Sequence, residues 1–115
     1  MECTHEDTVD GIRTIRLSGR MDLEGAVAID PQFSTLVATG GRAIVVDLSG
    51  LDFLGSLGMG TLVMAAKNVG ARKGLMVMCG AGRAVEKALI RTNLPILLCR
   101  DLEEARSRVM AAVGE

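Results

Sequence analysis

The segment from Gly55 to Gly60, GSLGMG, concentrates the residues of this chain that could bind or react. A helix that starts with glycines offers free backbone N–H groups to a phosphate. However, these glycines do not follow the order GxGxxG, and no Lys-Ser or Lys-Thr pair completes a P-loop. The helix start GAGRAVEK, from Gly80, also lacks a full motif. Small-ligand or nucleotide sensing at these two glycine-bearing helix starts therefore stays an alternative function.

Catalytic and metal-binding chemistry has little support in the residues present. Ser56 is not enclosed by GxSxG, and the chain's one histidine, His5, lies near its beginning. The three cysteines, Cys3, Cys79 and Cys99, form no CxxC pair, and two of them end apolar runs where buried thiols are expected. We therefore expect no catalytic residues, no metal site and no cofactor, which argues against an enzyme.

Composition bounds the class of protein. The 115 residues, 49% of them hydrophobic, predict one globular domain over residues 1–115. A formal net charge of −1 and two Phe, with no Trp or Tyr, argue against nucleic-acid binding. No apolar run approaches the ~20 residues of a membrane helix, so we expect a cytoplasmic protein without membrane insertion. The oligomeric state is left open.

The first half of the chain predicts a hairpin, a helix and a strand. CTHEDTV and IRTIRLS both alternate, and Asp10-Gly11 between them predicts a two-residue hairpin turn. Asp30-Pro31 is a typical helix start, and Gly40-Gly41 would end that helix. The run RAIVVDL is typical of a strand buried on both faces.

The second half predicts three further helices and two strands. A helix from Leu57 to Val69 is followed by the strand LMVMC, the helix GAGRAVEKALIRTN and the strand LPILLC, with Pro95 at its start. Asp101 would cap a last helix. This order predicts an α/β fold with a mixed, mostly parallel β-sheet that is opened by an N-terminal hairpin and covered by about four helices.

The start of the second helix could be a recognition surface. If Leu62 and Ala65 point inward, Met59 should turn partly toward solvent, where methionine is an adaptable anchor for a partner. The alternative is that Met59 fills a gap at the edge of the sheet. Gly58 and Gly60 each cost the helix about 1 kcal/mol relative to Ala, which suggests that another backbone or the chain's own sheet approaches closely.

Three blocks of sequence resemble STAS domains, the fold of bacterial anti-sigma-factor antagonists. They are LSGRMDLEGA, AIVVDLSGLDFLGSLGMGTLVMAAK and GLMVMCGAGRAVEKALIRTNL, and the resemblance extends from about Thr8 to Val113. It implies a non-enzymatic switch whose loop docks an anti-sigma factor that is also a serine kinase. Phosphorylation in the loop adds about two negative charges and blocks docking.

The resemblance implies that Asp22 and residues 55–60 bind the partner: Gly55, Ser56, Leu57, Gly58, Met59 and Gly60. The family's loop reads Asp-Ser-Ser-Gly-Leu-Gly or Asp-Ser-Thr-Gly-Leu-Gly, so Leu57 occupies the phosphoacceptor position and cannot accept phosphate. Ser56 or Thr61 would have to replace it, but Ser56 is better interpreted as a helix N-cap. Asp22 either shapes the partner surface or stabilises its turn, and the Asp30-Pro31 step implies a short or displaced first helix.

Overall fold

The computed structural model describes residues 1–91 and 97–113, which form five strands and four helices in the predicted order. The strands are β1 (Glu2–Asp7), β2 (Ile12–Met21), β3 (Ala43–Leu54), β4 (Leu75–Cys79) and β5 (Leu98–Cys99). The helices are α1 (Leu23–Thr39), α2 (Ser56–Ala71), α3 (Arg83–Arg91) and α4 (Leu102–Val113). The α/β fold class is therefore confirmed.

The strands form a mixed sheet in the order β1-β2-β3-β4-β5. The hairpin strands β1 and β2 are antiparallel, and each of the following pairs is parallel. Because a parallel connection needs a crossover, α1, α2 and α3 each return the chain across one face of the sheet. The prediction of a mostly parallel sheet that begins with an antiparallel hairpin is therefore confirmed.

The core has two layers, one on each face of the sheet. The larger layer packs Phe33 of α1 and Leu62 of α2 against strand residues such as Val46, and the smaller layer packs Val109 of α4 against Val45. Val45 and Val46 are both fully buried although they point to opposite faces. The prediction that this strand is covered on both sides is therefore confirmed.

The hairpin turn is longer than predicted. Asp7 pairs with Arg13, so residues Thr8–Gly11 form the turn, and the N–H of Gly11 donates to the carbonyl of Thr8. The Asp10 carboxylate accepts hydrogen bonds from the Thr8 hydroxyl and from the N–H of Ile12 (3.3 Å). The two-residue prediction was wrong because the Asp10 side chain stabilises a wider turn, in which Gly11 has a φ of +87°.

The first helix starts eight residues before the predicted Asp30-Pro31 step, and it is neither short nor displaced. Helix α1 is 17 residues long and contains Pro31. Asp30 and Pro31 are both exposed on this helix. The carbonyl of Val27, which the proline leaves without its helical N–H partner, belongs to an exposed residue, so water can replace the missing bond. Asp30-Pro31 is therefore an interior step of α1 that the helix tolerates, and it is not the start of the helix.

The later elements agree with most of the predicted bounds. The β4 strand is LMVMC, as predicted, and α3 buries Val85 and Leu89. Ala88, which its helical spacing also predicts to face inward, is partly buried. Asp101 caps α4, because its carboxylate accepts the N–H of Glu104 at 2.9 Å. The predicted start of the last strand at Pro95 and the predicted end of the third helix lie outside the described residues.

Replacement of Pro31 by Ala should stabilise the fold by about 1–3 kcal/mol, because it restores a helical N–H and removes the ring from the interior of α1. Urea denaturation followed by circular dichroism measures this change. Thr35→Ala, an exposed substitution in the same helix, serves as the control and should add at most about 0.7 kcal/mol. A lower stability of Pro31→Ala would mean that the helix is built around the proline.

Candidate partner-docking site

The parallel pairing of β2 and β3 brings the starts of α1 and α2 together. Met21 and Leu54, the last residues of the two strands, are partners in the register. Just beyond them, the N–H of Gly55 donates to the carbonyl of Met21 at 3.0 Å. Because both strands end at the same edge of the sheet, Asp22 and Gly55 lie beside one another although 33 positions separate them in the sequence.

Asp22 has a structural role at this edge. Its Oδ1 accepts the N–H of Gly25 at 2.8 Å and so caps α1. Its Oδ2 lies 3.8 Å from Nε of Arg20, whose guanidinium also stacks 4.7 Å from the ring centre of Phe53. The side chain of Asp22 is nevertheless 43% exposed, so the same carboxylate also forms part of the surface.

The strand β3 continues further toward α2 than the sequence suggested. Its last residues, Gly50 to Leu54, pair with the end of β2, so only Gly55 separates the strand from the helix. Gly55 is the N-cap residue, and its carbonyl accepts the N–H of Met59 at 3.0 Å. The prediction that Ser56 caps the helix was wrong, because Ser56 is already the first residue of α2.

Ser56 is consequently an exposed residue of the first helical turn. Its hydroxyl makes no hydrogen bond to any residue in the ranges that the structure describes. Thr61, five residues later, is half-buried, and its hydroxyl donates to the carbonyl of Leu57 at 3.2 Å. Two hydroxyls could replace the missing phosphoacceptor. Of these, the Thr61 hydroxyl makes a hydrogen bond within the described residues, and the Ser56 hydroxyl does not.

The structure buries Met59, which was expected to face solvent, and exposes Leu57, for which no exposure was predicted. Met59 is only 8% exposed and packs in the larger core layer, whereas Leu57 is 46% exposed. The prediction of an outward Met59 was wrong because this residue precedes Leu62 by three positions and belongs to the same buried stripe. The complementary spacing of Leu57, Thr61 and Met64, at steps of four and three, is the signal that could have identified the outward stripe.

The two glycines within this helix start have different surroundings. A Cβ atom on Gly58 would lie 2.7 Å from Cγ of Met21 and 3.0 Å from Cδ1 of Leu54. The close approach suggested by Gly58 is therefore made by the chain's own core. A Cβ atom on Gly60 would meet nothing within 4 Å, so Gly60 leaves the surface beside Leu57 open.

Exposed apolar side chains surround the site, and we call four of them the apolar face: Leu23, Val27, Phe53 and Leu57. Their exposed fractions are 71%, 61%, 39% and 46%. Val27 and Leu57 line one depression of about 270 Å³ between α1 and α2. A groove of about 430 Å³ continues along the same two helices past Met64. Clustered exposed apolar groups of this kind often mark interaction sites.

The cysteines and the histidine are not arranged for catalysis with Ser56. Cys3, Cys79 and Cys99 are all buried free thiols, and burial raises the pKa of Cys79 to about 12. Cys79 is therefore protonated at neutral pH and is not a nucleophile. His5 pairs with Ile15 within the β1–β2 ladder, whereas Ser56 lies beyond the end of β3.

The second glycine-bearing helix start is unfavourable for an anion. A Cβ atom on Gly80 would lie 3.1 Å from a carboxylate oxygen of Asp47, which shows how closely this acidic group approaches the loop. A phosphate at this position would face a like charge, which costs binding energy. The nucleotide-sensing alternative gains no supporting observation from this loop.

None of the helices in the described ranges is long and apolar enough to cross a membrane.

The comparisons with known proteins identify the class to which this fold belongs. The family model of the STAS domain matches residues 6–105. The chain belongs to the STAS domain family. The resemblance found in the sequence is thereby confirmed.

Several proteins that resemble this chain are anti-sigma factor antagonists. The anti-sigma-F factor antagonist RsfB of Mycobacterium tuberculosis is 33% identical over 61 residues, which cover 53% of this chain and 50% of that protein. The match thus spans half the length of this relative. An anti-sigma factor antagonist from Mycobacterium paratuberculosis is 28% identical, with a TM-score of 0.81 over 94% of this chain and 92% of that chain. The anti-sigma factor antagonist SpoIIAA, solved in its unphosphorylated form, is 24% identical and shares the fold, with a TM-score of 0.79 over 97% and 99% of the two chains.

Alanine substitutions at the two glycines should have opposite effects on stability. Gly58→Ala should lower the free energy of unfolding by about 1–3 kcal/mol, because the added methyl overpacks the core against Met21. Gly60→Ala should raise it by about 0.5–1 kcal/mol, because the methyl enters open space and favours the helix. Urea denaturation of both variants tests the pair, and equal effects at the two positions would contradict the packing described for Gly58.

Proposed function

We propose that this STAS domain is a non-enzymatic anti-sigma-factor antagonist that docks a serine-kinase-type anti-sigma factor at the start of α2. The observation that carries the proposal is the exposure of Leu57, a large apolar residue in the first turn of a helix at the edge of the sheet. The likeness to anti-sigma factor antagonists supports the choice of partner. The absence of a catalytic grouping among the described residues supports a binding role.

Leu57 is the best anchor for such a partner. Burial of about half of a leucine side chain on docking would contribute roughly 1 kcal/mol, and the neighbouring Leu23 and Val27 extend the same apolar contact. In the free protein a large part of each of these side chains faces water. Leu23, Val27 and Leu57 lie together where α1 and α2 begin, and a second polypeptide that covers them best explains this cluster.

The sequence-predicted binding residues divide into two roles in this proposal. Ser56, Leu57 and Gly60 are exposed and can touch the partner, with Gly60 leaving room for its backbone. A second group positions this surface from within: Gly58 and Met59 seat the helix on the core, Gly55 caps α2, and Asp22 caps α1.

The partner's kinase activity should not switch this docking. Leu57 occupies the position at which the resemblance places a phosphoacceptor, and leucine has no hydroxyl. Ser56 precedes it by one residue, so its side chain leaves the helix about 100° away and does not present a hydroxyl in the same place. Thr61 is already bonded within the helix. We therefore infer that docking is constitutive.

Replacement of Leu57 by Glu should weaken binding to the partner by about thirtyfold or more, equivalent to about 2 kcal/mol, because a charge would be buried at the apolar contact. Isothermal titration calorimetry with purified serine-kinase-type anti-sigma factors of the same bacterium measures this effect. Ile90→Glu, a matched change at a 65% exposed residue of α3, should bind like the wild type. Unchanged affinity of Leu57→Glu would refute the docking site.

Incubation with the bound anti-sigma factor and ATP should leave the wild-type chain unphosphorylated. Leu57→Ser, which restores a hydroxyl at the phosphoacceptor position, should gain one phosphate, because the docked kinase would then find an acceptor in its usual place. Intact-mass spectrometry distinguishes the two results. Phosphate on Ser56 or Thr61 of the wild type would show that the switch has moved and has not been lost.

A further inference from the structure

The depression between α1 and α2 lies next to the proposed docking site but involves residues that the site as predicted did not include. Its walls are formed by Val27, Asp30 and Pro31 on one side and by Leu57 and Thr61 on the other. Since Leu57 belongs to both features, any polypeptide that covers Leu57 also reaches the edge of this depression.

The floor and walls of the depression suit an aliphatic side chain. Ala26 is buried beneath it, and Val27 and Leu57 are 61% and 46% exposed around it. Pro31 adds the apolar surface of its ring. The depression therefore offers mainly apolar contact.

The charges around the depression are mainly acidic. The charged residues of α1 are Glu24 and Asp30, both exposed, and the N-cap residue Asp22 adds a third carboxylate. The first eleven residues of α2, up to Ala66, carry no charge. Two nearby cations in the described ranges are both engaged. Arg20 contacts Asp22 and Phe53. Arg72 lines the adjoining groove and donates to backbone carbonyls at the end of α1. A ligand surface that matches this field must be basic.

We propose that the docking surface extends from the start of α2 onto α1, and that an aliphatic side chain of the anti-sigma factor, flanked by a lysine or an arginine, occupies the depression between Val27 and Leu57. This inference rests on the proposed function, because it assigns a second contact to the same partner. The basic side chain pairs with Asp30, whose carboxylate otherwise accepts only a hydrogen bond from the exposed Ser34 hydroxyl at 3.1 Å among the described residues.

Calorimetric titration of the same purified anti-sigma factor tests the extension with two variants. Val27→Ser removes the apolar wall without touching the core and should weaken binding about tenfold. Asp30→Lys reverses the charge and should weaken binding at least tenfold at low salt, with a smaller dependence of affinity on NaCl concentration than the wild type shows. Ile90→Ser on α3 and Glu103→Lys on α4 are the matched controls, and both should bind like the wild type.

The outcomes separate this inference from the proposed function. If Leu57→Glu abolishes binding while Val27→Ser and Asp30→Lys bind like the wild type, the extension onto α1 is overturned and the site at α2 stands. If the wild type itself does not bind any serine-kinase-type anti-sigma factor, both are overturned. Thermal unfolding by circular dichroism checks that each variant is folded. We expect folded variants because Val27, Asp30 and Leu57 are all exposed.

Discussion

The parallel pairing of β2 with β3 is the constraint on which the rest of this site depends. The register holds Met21 against Leu54, and the hydrogen bond from Gly55 to the Met21 carbonyl fixes the chain at the point where both strands end. Two helices therefore begin side by side, although they are distant in the sequence. The position of the surface that they share is consequently set by buried strands.

The rotation of α2 about its axis then decides which side chains face outward. Gly58 lets the helix approach Met21 closely, and Met59 and Leu62 turn into the core. Leu57 is left on the opposite side because consecutive helical residues are separated by about 100°. An outward leucine at this position is thus a consequence of inward packing by its neighbours. Leu57 can serve as a binding anchor because exposed residues of α1, Leu23 and Val27, extend the apolar surface beside it.

The sequence predicted the order of the elements, the buried third strand and the core stripe of α2, because hydrophobic periodicity records burial directly. It did not predict the start of α1, since Asp30-Pro31 is a stronger local signal than Asp22, whose capping role appears only once β2 is known to end at Met21. The burial of Met59 was missed for a different reason. Met59 precedes Leu62 by three positions, so the helical spacing already placed it on the buried stripe, and the error was to treat the first turn of α2 as separate from that stripe.

In the proposed function, a second polypeptide covers the adjoining starts of α1 and α2. The most direct measurement is an NMR titration of the ¹⁵N-labelled chain with an unlabelled serine-kinase-type anti-sigma factor, with amide shifts mapped onto the structure. The largest changes should fall on residues 22–31 and 55–61, while α4 and the β1–β2 turn stay unchanged. Changes centred on α4, or on the face of the sheet that α4 covers, would contradict the claim.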